Sequence, residues 1–359
     1  MPDYRVIDID GHVEPSVACD WTKYVPAPFG DVAQKLAAER FDRLGYMTTG
    51  RRGAWDPAAR LEDMDSEGID VAVLFGSSMG ISTGVDDVGD LFGSKISLGE
   101  QGSDLQLGLA LAQGYNNWLH DYCAKDPERL RGAALVPLED MEKACAEARR
   151  AVKDLGFPGI VTRPSLKNVT MDNPYFFPLY ETAEALDVPL LVHGSSSFPE
   201  VSKRYRTHFR RHAVNFPFSL IMGLMDAVCG GVLERYKTLR LAFLEGGVGW
   251  IPWWVDRLDE HFEKLPSHVP NISEEPRALV RRYIHEGRVF FSCEVDEEYL
   301  PHAVQELGDE FILYASDYPH WDSVFPGSVA AISGNPKLSE ETKRKVLGEN
   351  AVRLLRCRL

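Results

Sequence analysis

The chain has 359 residues, of which 44% are hydrophobic, and this is enough for one large α/β domain or two medium ones. The formal net charge of −15 at pH 7 argues against nucleic acid and anionic membranes as partners. The six cysteines lack CxxC spacing, which argues against disulfides or a cysteine zinc site. Without a signal-peptide pattern or an apolar run of about 18 residues, we expect a cytoplasmic protein that acts on a small molecule.

Eight short, mostly apolar runs predict the strands of a parallel sheet that is covered on both faces. In chain order they are YRVIDID at 4–10, DVAVLF at 70–75, GAALVP at 132–137, GIVTR at 159–163, PLLVHG at 189–194, LRLAFLE at 239–245, RVFFSCE at 288–294 and FILYASD at 311–317.

Helical patterns alternate with these runs. Between 141 and 155, apolar residues recur at three- and four-residue steps, and Gly156 then predicts a helix end. A second stripe lies within 347–354. Eight βα units in a chain of this length favour a (β/α)₈ TIM barrel over an open sheet. The chain has no internal repeat or linker, so we expect one domain over residues 1–359.

Two insertions interrupt the predicted pattern. Residues 76–105, after the second strand, are rich in Gly, Ser and Asp and form either a surface excursion or a lid over the catalytic face. Residues 195–218, after the fifth strand, are rich in arginine. They predict a solvated basic loop or a segment that holds an anionic substrate.

Polar residues stand where the apolar runs stop, and barrel enzymes place their chemistry at these strand ends. The residues at these ends are Asp10 and His12, Arg163, His193, Glu245, Glu294 and Asp317.

A divalent metal site is the chemistry that four of these residues predict. Asp10 and His12 are two positions apart, so on a strand they point to the same side. With His193 and Asp317 across the barrel mouth they form a mixed nitrogen and oxygen set. Such a set suits one Zn²⁺, or alternatively Mn²⁺, in a catalytic role.

The sequence as a whole resembles the amidohydrolase superfamily, and within it the amidohydrolase-2 group of aminocarboxymuconate-semialdehyde decarboxylase and its relatives. The motifs that carry the resemblance are DIDGHVEP (8–15), GAWDPAARLEDMDSEGIDVAVLF (53–75), YNNWLHDYCAKDPERLRGAALVPL (115–138), LLVHGSS (190–196), FLEGGVGWIPWWVDRLDEHF (243–262), ASDYPHWD (315–322) and GENAVRLL (348–355).

The resemblance implies a role for each strand-end residue. Asp10 and His12 match the first metal motif of the group, His193 matches the histidine after strand five, and Asp317 matches the aspartate after strand eight. In several decarboxylases of the group a histidine ends strand six and acts as the acid/base. Here that position holds Glu245, which would need a raised pKa to donate a proton at neutral pH.

Three further residues are candidates for binding substrate. Arg163 could clamp a substrate carboxylate or pair with a neighbouring acid. His320 could line the pocket or cap a turn, and His212 could contact the substrate.

Two enzymatic functions and one non-enzymatic function follow from the resemblance. A decarboxylase would act on a small aromatic or enolic acid. A hydrolase would use metal-activated water, with Asp317 accepting the proton. A metal-binding barrel without activity is the third. The tryptophan-rich stretch 250–254 and the group's habit of dimerising predict a homodimer.

Overall fold

The computed structural model describes residues 3–16, 18–40, 50–76, 105–166, 168–194 and 204–356. Its principal sheet consists of short parallel strands. They are β1 (Ile7–His12), β2 (Val71–Phe75), β3 (Leu130–Gly132), β4 (Ile160–Thr162), β5 (Leu190–His193), β6 (Leu241–Leu244), β7 (Val289–Cys293) and β8 (Ile312–Tyr314). A small antiparallel pair, Ser165–Leu166 with Val169–Thr170, follows β4.

The strands form a closed ring in chain order. Strands β1 to β3 pair with one another, and so do β4 to β8. A bridge between Ala134 and Ile160 joins the two groups. On the other side, the backbone N–H of Asp317 donates to the carbonyl oxygen of Asp10 at 3.0 Å, so the segment after β8 is bonded to β1. The predicted (β/α)₈ TIM barrel is confirmed.

Helices and short helical turns surround the barrel. The α-helices are α1 (Gly30–Arg40), α2 (Pro57–Glu67), α3 (Leu105–Cys123), α4 (Met141–Lys153), α5 (Phe177–Leu186), α6 (His208–Cys229), α7 (Val232–Arg235), α8 (Ile251–Lys264), α9 (Pro276–His285), α10 (Leu300–Leu307), α11 (Ser328–Ser333), α12 (Glu340–Arg344) and α13 (Asn350–Leu355). Short 3₁₀ turns lie at Trp21–Lys23, Arg52–Ala54, Pro174–Phe176 and Pro266–His268, and a π-helical turn lies at Lys345–Glu349.

Helix α2 shows how the local sequence sets an element that later matters at the site. Asp56 caps its N-terminus by accepting from the Ala58 N–H at 3.0 Å, and Pro57 occupies the first turn. Gly68 ends the helix in the left-handed conformation, with φ of 79°.

The predicted boundaries of two strands were wrong. The run 132–137 was expected to be a strand, but β3 ends at Gly132. The side-chain amide of Asn116 bonds both the N–H and the carbonyl of Leu135, at 2.9 and 2.8 Å, and thereby replaces a strand partner. The first strand begins at Ile7, because the Val6 N–H before it donates to the Asp70 carboxylate at 2.7 Å. It extends beyond the predicted end to His12.

The prediction of a loop over 195–218 was wrong for its C-terminal part, which is the start of α6. Helix α6 has no glycine before Gly223, and its buried residues Leu220, Leu224 and Val228 pack against the barrel. By length and composition alone the segment Phe209–Cys229 could cross a membrane, contrary to the sequence-based expectation. Residues 195–203 and the proposed lid at 77–104 lie outside the described residues.

Two apolar layers pack on the sheet. Each strand, or the residue directly after it, contributes at least one buried side chain to the barrel interior. Helix α13 contributes three more buried side chains to the same layer. The members of this layer include Ile7, Ile9, Val71, Val73, Phe75, Ala133, Val161, Leu191, Ala242, Leu244, Phe290 and Leu313. The outer layer lies between the strands and the helices. Each fully buried Val, Leu, Ile or Phe contributes roughly 1.5–3 kcal/mol.

Candidate metal and catalytic site

A break in the alternation of β1 directs Asp10 and His12 to the barrel mouth. Ile7 and Ile9 pack inside the barrel, so a regular strand would place Asp8 and Asp10 on its opposite face. The pairing of β1 with β2 shifts register between Asp8 and Gly11. After this shift the side chains of Asp10 and His12 meet, with His12 Nε2 3.1 Å from Asp10 Oδ1.

His193 is the last residue of β5, and one of its two ring nitrogens forms a hydrogen bond with the backbone. Its Nδ1 lies 2.5 Å from the carbonyl oxygen of Gly194, so Nδ1 carries the proton and donates. Nε2 therefore presents its lone pair to the site. A metal-ligating histidine is held in this way by a backbone carbonyl on its other nitrogen.

Glu245 and Asp317 reach the site from strained backbone positions. Glu245 directly follows β6 with φ of 64°, and Asp317 lies three residues beyond β8 with φ of 51°. Non-glycine residues adopt this left-handed conformation infrequently and at a cost in free energy, and such residues cluster at functional sites.

These side chains converge on a small buried volume. His12 Nε2 lies 3.2 Å from Asp317 Oδ1, and His193 Nε2 lies 4.0 Å from Asp10 Oδ1. Glu245 Oε2 lies 2.6 Å from His193 Nε2. His320 Nδ1 lies 2.5 Å from Asp317 Oδ1.

The ionisable groups of this cluster have pKa values far from their ordinary ones. Although burial opposes it, the adjacent carboxylates of Asp10 and Asp317 raise the pKa of His12 to about 10. Burial also acts against ionisation of Asp317, but His320 and His12 hold the pKa of Asp317 well below its usual range. Burial lowers the pKa of His193 to about 4. Burial, followed by the charges of Asp317 and Asp10, raises the pKa of Glu245 well above its usual value.

The donor set fits a divalent cation. Among the described residues, several buried atoms of this cluster lack a hydrogen bond of good geometry, which is costly unless another group satisfies them. They are both carboxylate oxygens of Asp10, both ring nitrogens of His12, Nε2 of His193, Oε2 of Glu245 and Oδ1 of Asp317. Two sets, Asp10–His12–His193 and His12–Glu245–Asp317–His320, each bring their ligand atoms within 4.8 Å of one another. Carboxylate and imidazole ligands in this number suit Zn²⁺ or Mn²⁺.

The structure thus brings all four predicted ligands together, along with two other predicted site residues, Glu245 and His320. Glu245, expected to be an acid/base only, lies close enough to be a ligand. His320, expected to line the pocket, stacks on the ring of His12 with centroids 4.1 Å apart. Its position three residues after Asp317 was the sequence signal for it.

An aromatic and acidic rim lies next to the cluster. His212, on α6, stacks on Phe216 with centroids 4.3 Å apart and meets Trp321 edge-on at 5.5 Å. Its Nε2 lies 3.8 Å from both Glu245 Oε1 and Asp322 Oδ2. The sequence predicted His212 but not Phe216, Trp321 or Asp322, because no strand end marks them. Phe216 could have been found from its four-residue spacing from His212 on a helix.

Arg163 is buried one residue beyond β4. Its predicted role in binding a substrate carboxylate stays a prediction.

Comparison with known proteins identifies the family. A family model described as amidohydrolase matches residues 7–357, nearly the whole chain. The chain therefore belongs to the amidohydrolase family, which confirms the resemblance found in its motifs.

Two curated relatives are decarboxylases. The chain is 26% identical over 308 residues to 2-amino-3-carboxymuconate-6-semialdehyde decarboxylase of Dictyostelium discoideum, covering 84% of this chain and 77% of that protein. It is 25% identical over 255 residues to gamma-resorcylate decarboxylase of Polaromonas sp., covering 68% of this chain and 76% of that protein.

A solved structure supports the fold. It is that of 5-carboxyvanillate decarboxylase from Novosphingobium aromaticivorans in complex with manganese and 4-hydroxy-3-methoxy-5-nitrobenzoic acid. It matches with a TM-score of 0.72 and 21% identity, covering 99% of this chain and 96% of that chain.

Proposed function

We propose that this protein is a metal-dependent, non-oxidative decarboxylase of a small aromatic or enolic carboxylic acid. The observation that carries the proposal is the position of Glu245 beside the cluster of Asp10, His12, His193 and Asp317. This arrangement would put a proton donor next to a cation site. The similarity to two curated decarboxylases over most of the chain supports the same reaction.

Substrate binding would involve both the cluster and the rim. A divalent ion held by Asp10, His12, His193 and Asp317 would supply a Lewis acid for the substrate carboxylate and a neighbouring hydroxyl or oxo group. The rings of Phe216, His212 and Trp321 offer faces and edges on which a planar substrate can stack. Arg163 and His320 are further candidates for contacts with its polar groups.

The chemical step requires a proton at the carbon that bears the carboxylate. Glu245 would donate this proton, forming a C–H bond. The C–C bond to the carboxylate would then break, its electron pair would return to the ring or enol system, and CO₂ would leave. Burial within the site favours the protonated form that this step needs.

A hydrolase is the second candidate, and Asp317 is the observation in its favour. His320 and His12 keep this carboxylate ionised, as a base that takes a proton from water would need to be. His193 would serve both candidates as a metal ligand through Nε2, the atom that lies 2.6 Å from Glu245 Oε2. A metal-binding barrel without activity is the remaining alternative.

We further propose Zn²⁺ as the resident ion, with Mn²⁺ as the alternative that the manganese in the solved relative supports. We also propose a single domain, a homodimer and a cytoplasmic location. The exposed Trp253, with 59% of its surface accessible, is consistent with a subunit contact on α8.

The test is a panel of hydroxybenzoic and enolic acids, together with aryl esters and lactones, offered in D₂O to protein loaded with Zn²⁺ or Mn²⁺. We expect CO₂ release and one deuterium on the carbon that lost the carboxylate, and none of either from a His12→Ala/His193→Ala variant. Addition of water without CO₂ would replace the proposal with the hydrolase. A metal-replete protein that is inert throughout would contradict both.

A further inference from the structure

Arg60, on α2, penetrates from the helical layer to the back of the metal cluster. Only 1% of its surface is accessible. Its Nη1 lies 3.3 Å from the carbonyl oxygen of His12 and 3.3 Å from the carbonyl oxygen of Tyr318. One guanidinium therefore binds two backbone carbonyls, that of the predicted metal ligand His12 and that of the residue after Asp317.

Asp8 completes this contact from the other side. Arg60 Nη2 lies 3.6 Å from Asp8 Oδ2, and both side chains are buried. Asp8 in turn accepts from the N–H of Ser316 at 2.9 Å and from its hydroxyl at 2.6 Å. The Asp10 N–H donates to Asp8 Oδ1 at 3.2 Å. The ion pair thus contacts the ligands His12 and Asp10 on one side of the barrel seam and, on the other, Ser316 and Tyr318, the two neighbours of Asp317 in sequence.

The surroundings leave the guanidinium little freedom. Its Cζ lies 4.3 Å from the centroid of the Tyr318 ring, and the Tyr318 hydroxyl is hydrogen-bonded to Asp63. A Cβ at Gly11 would lie 2.3 Å from Arg60 Nη2, so a larger residue between Asp10 and His12 would displace the guanidinium.

A second buried arginine shows what a purely structural role looks like in this fold. Arg288, at the opposite end of the barrel, donates to the carbonyl oxygens of Leu233 at 2.6 Å and Tyr236 at 2.5 Å. Neither acceptor adjoins a residue of the metal cluster. Arg60 differs because both of its carbonyl partners belong to the segments that carry His12 and Asp317.

Arg60 helps to hold the backbone next to Asp317, which is strained. Asp317 holds φ of 51°, and a strained residue keeps such a conformation only when its neighbours fix it. Two bonds to the Tyr318 carbonyl fix the backbone one residue beyond Asp317, one from the His12 N–H at 2.7 Å and one from Arg60 at 3.3 Å.

We propose that Arg60, anchored by Asp8, is a positioning residue that sets the distance and orientation between the ligands His12 and Asp317. The inference rests on the proposed metal-dependent function. It assigns to the Arg60–Asp8 pair control of metal affinity rather than contact with substrate.

The test compares Arg60→Lys with Arg288→Lys as a matched control. Lysine keeps the charge but cannot form the planar fork that binds two carbonyls and a carboxylate together. Affinity for Zn²⁺ and for Mn²⁺ is measured by competition with a chromophoric chelator, and thermal unfolding of the metal-free proteins is measured in parallel. We expect both variants to unfold at lower temperature, but only Arg60→Lys to bind metal more weakly, by about 10–100-fold.

Asp8→Asn keeps the size of Asp8 and one acceptor oxygen but removes the charge that pairs with Arg60, and it serves as the second variant if Arg60→Lys does not fold. We expect it to weaken metal binding in the same direction. Wild-type metal affinity in a folded Arg60→Lys or Asp8→Asn protein would overturn the positioning role while leaving the proposed function intact. A wild-type protein that binds neither ion would remove the proposed function and this inference together.

Discussion

His193 Nε2 lies 2.6 Å from Glu245 Oε2, while the other ring nitrogen of His193 is bonded to the Gly194 carbonyl. The imidazole therefore has only a lone pair to offer Glu245. Either a proton on the carboxyl group or a cation between the two residues makes this contact favourable. The short distance between these two atoms therefore bears both on whether Glu245 is the proton donor and on where the metal ion is held.

Glu245→Gln separates these two possibilities. The amide keeps the shape of the side chain but cannot transfer a proton, so turnover should fall by about 10²–10⁴-fold. We expect its metal content, measured by mass spectrometry of the purified protein, to stay at the wild-type level. Glu263→Gln, which changes an exposed carboxylate near the C-terminal end of α8, is the control and should keep both activity and metal. Loss of the metal from Glu245→Gln would instead make Glu245 a ligand.

His12→Ala and His193→Ala should each remove most of the bound metal. Their side chains carry buried nitrogens that lack a hydrogen bond of good geometry among the described residues, and a cation would satisfy them. We expect metal content below about one tenth of the wild-type value in the double variant, because two of the four proposed ligands are gone. His261→Ala, on the exposed face of α8, is the control. Equal metal in the double variant and the control would refute the assignment.

The sequence predicted the barrel and the convergence of its strand-end residues because both follow from short-range patterns. Apolar runs that end in polar residues mark the C-terminal ends of strands, and a parallel barrel gathers those ends at one mouth. Asp10, His193 and Asp317 could therefore be grouped although they are far apart in the chain.

Other features depend on tertiary contacts that no local pattern encodes. The register shift in β1, which separates the directions of Asp8 and Asp10, results from pairing with β2. Asp317 takes a left-handed conformation because its neighbours hold it there. Phe216 and Trp321 both contact the ring of His212, although they lie more than 100 residues apart in the chain. The boundary of β3 was missed because one side chain, Asn116, replaced the strand partner.

Trp321→Ala should weaken substrate binding more than it slows turnover. Its ring meets that of His212 at the rim and is 43% exposed, which leaves a surface for a planar substrate. Loss of one aromatic contact of about 0.5–1.5 kcal/mol predicts an increase in KM of about 2–10-fold with little change in kcat. Trp253→Ala, at an exposed tryptophan on α8, should leave both constants unchanged. A fall in kcat with constant KM would assign Trp321 to the chemical step instead.

Asp226→Asn should stabilise the protein in a pH-dependent manner. Burial, followed by the charge of Asp172, raises the pKa of Asp226 to about 7 from 3.8. In the unfolded chain the carboxyl ionises near its ordinary pKa, whereas in the folded protein it stays protonated until about pH 7. Wild-type stability therefore falls as the pH rises between about 4 and 7 and does not recover above this range.

Asparagine does not titrate, and its side-chain oxygen can still accept from the Met171 N–H as Asp226 does at 3.3 Å. The free energy of unfolding of the variant relative to wild type, measured by urea titration, should therefore increase by about 1–3 kcal/mol between pH 4 and pH 8. Asp296→Asn, at an exposed position, provides the baseline for loss of one surface charge. A difference between Asp226→Asn and wild type that does not change with pH would mean that Asp226 is ionised in the folded protein.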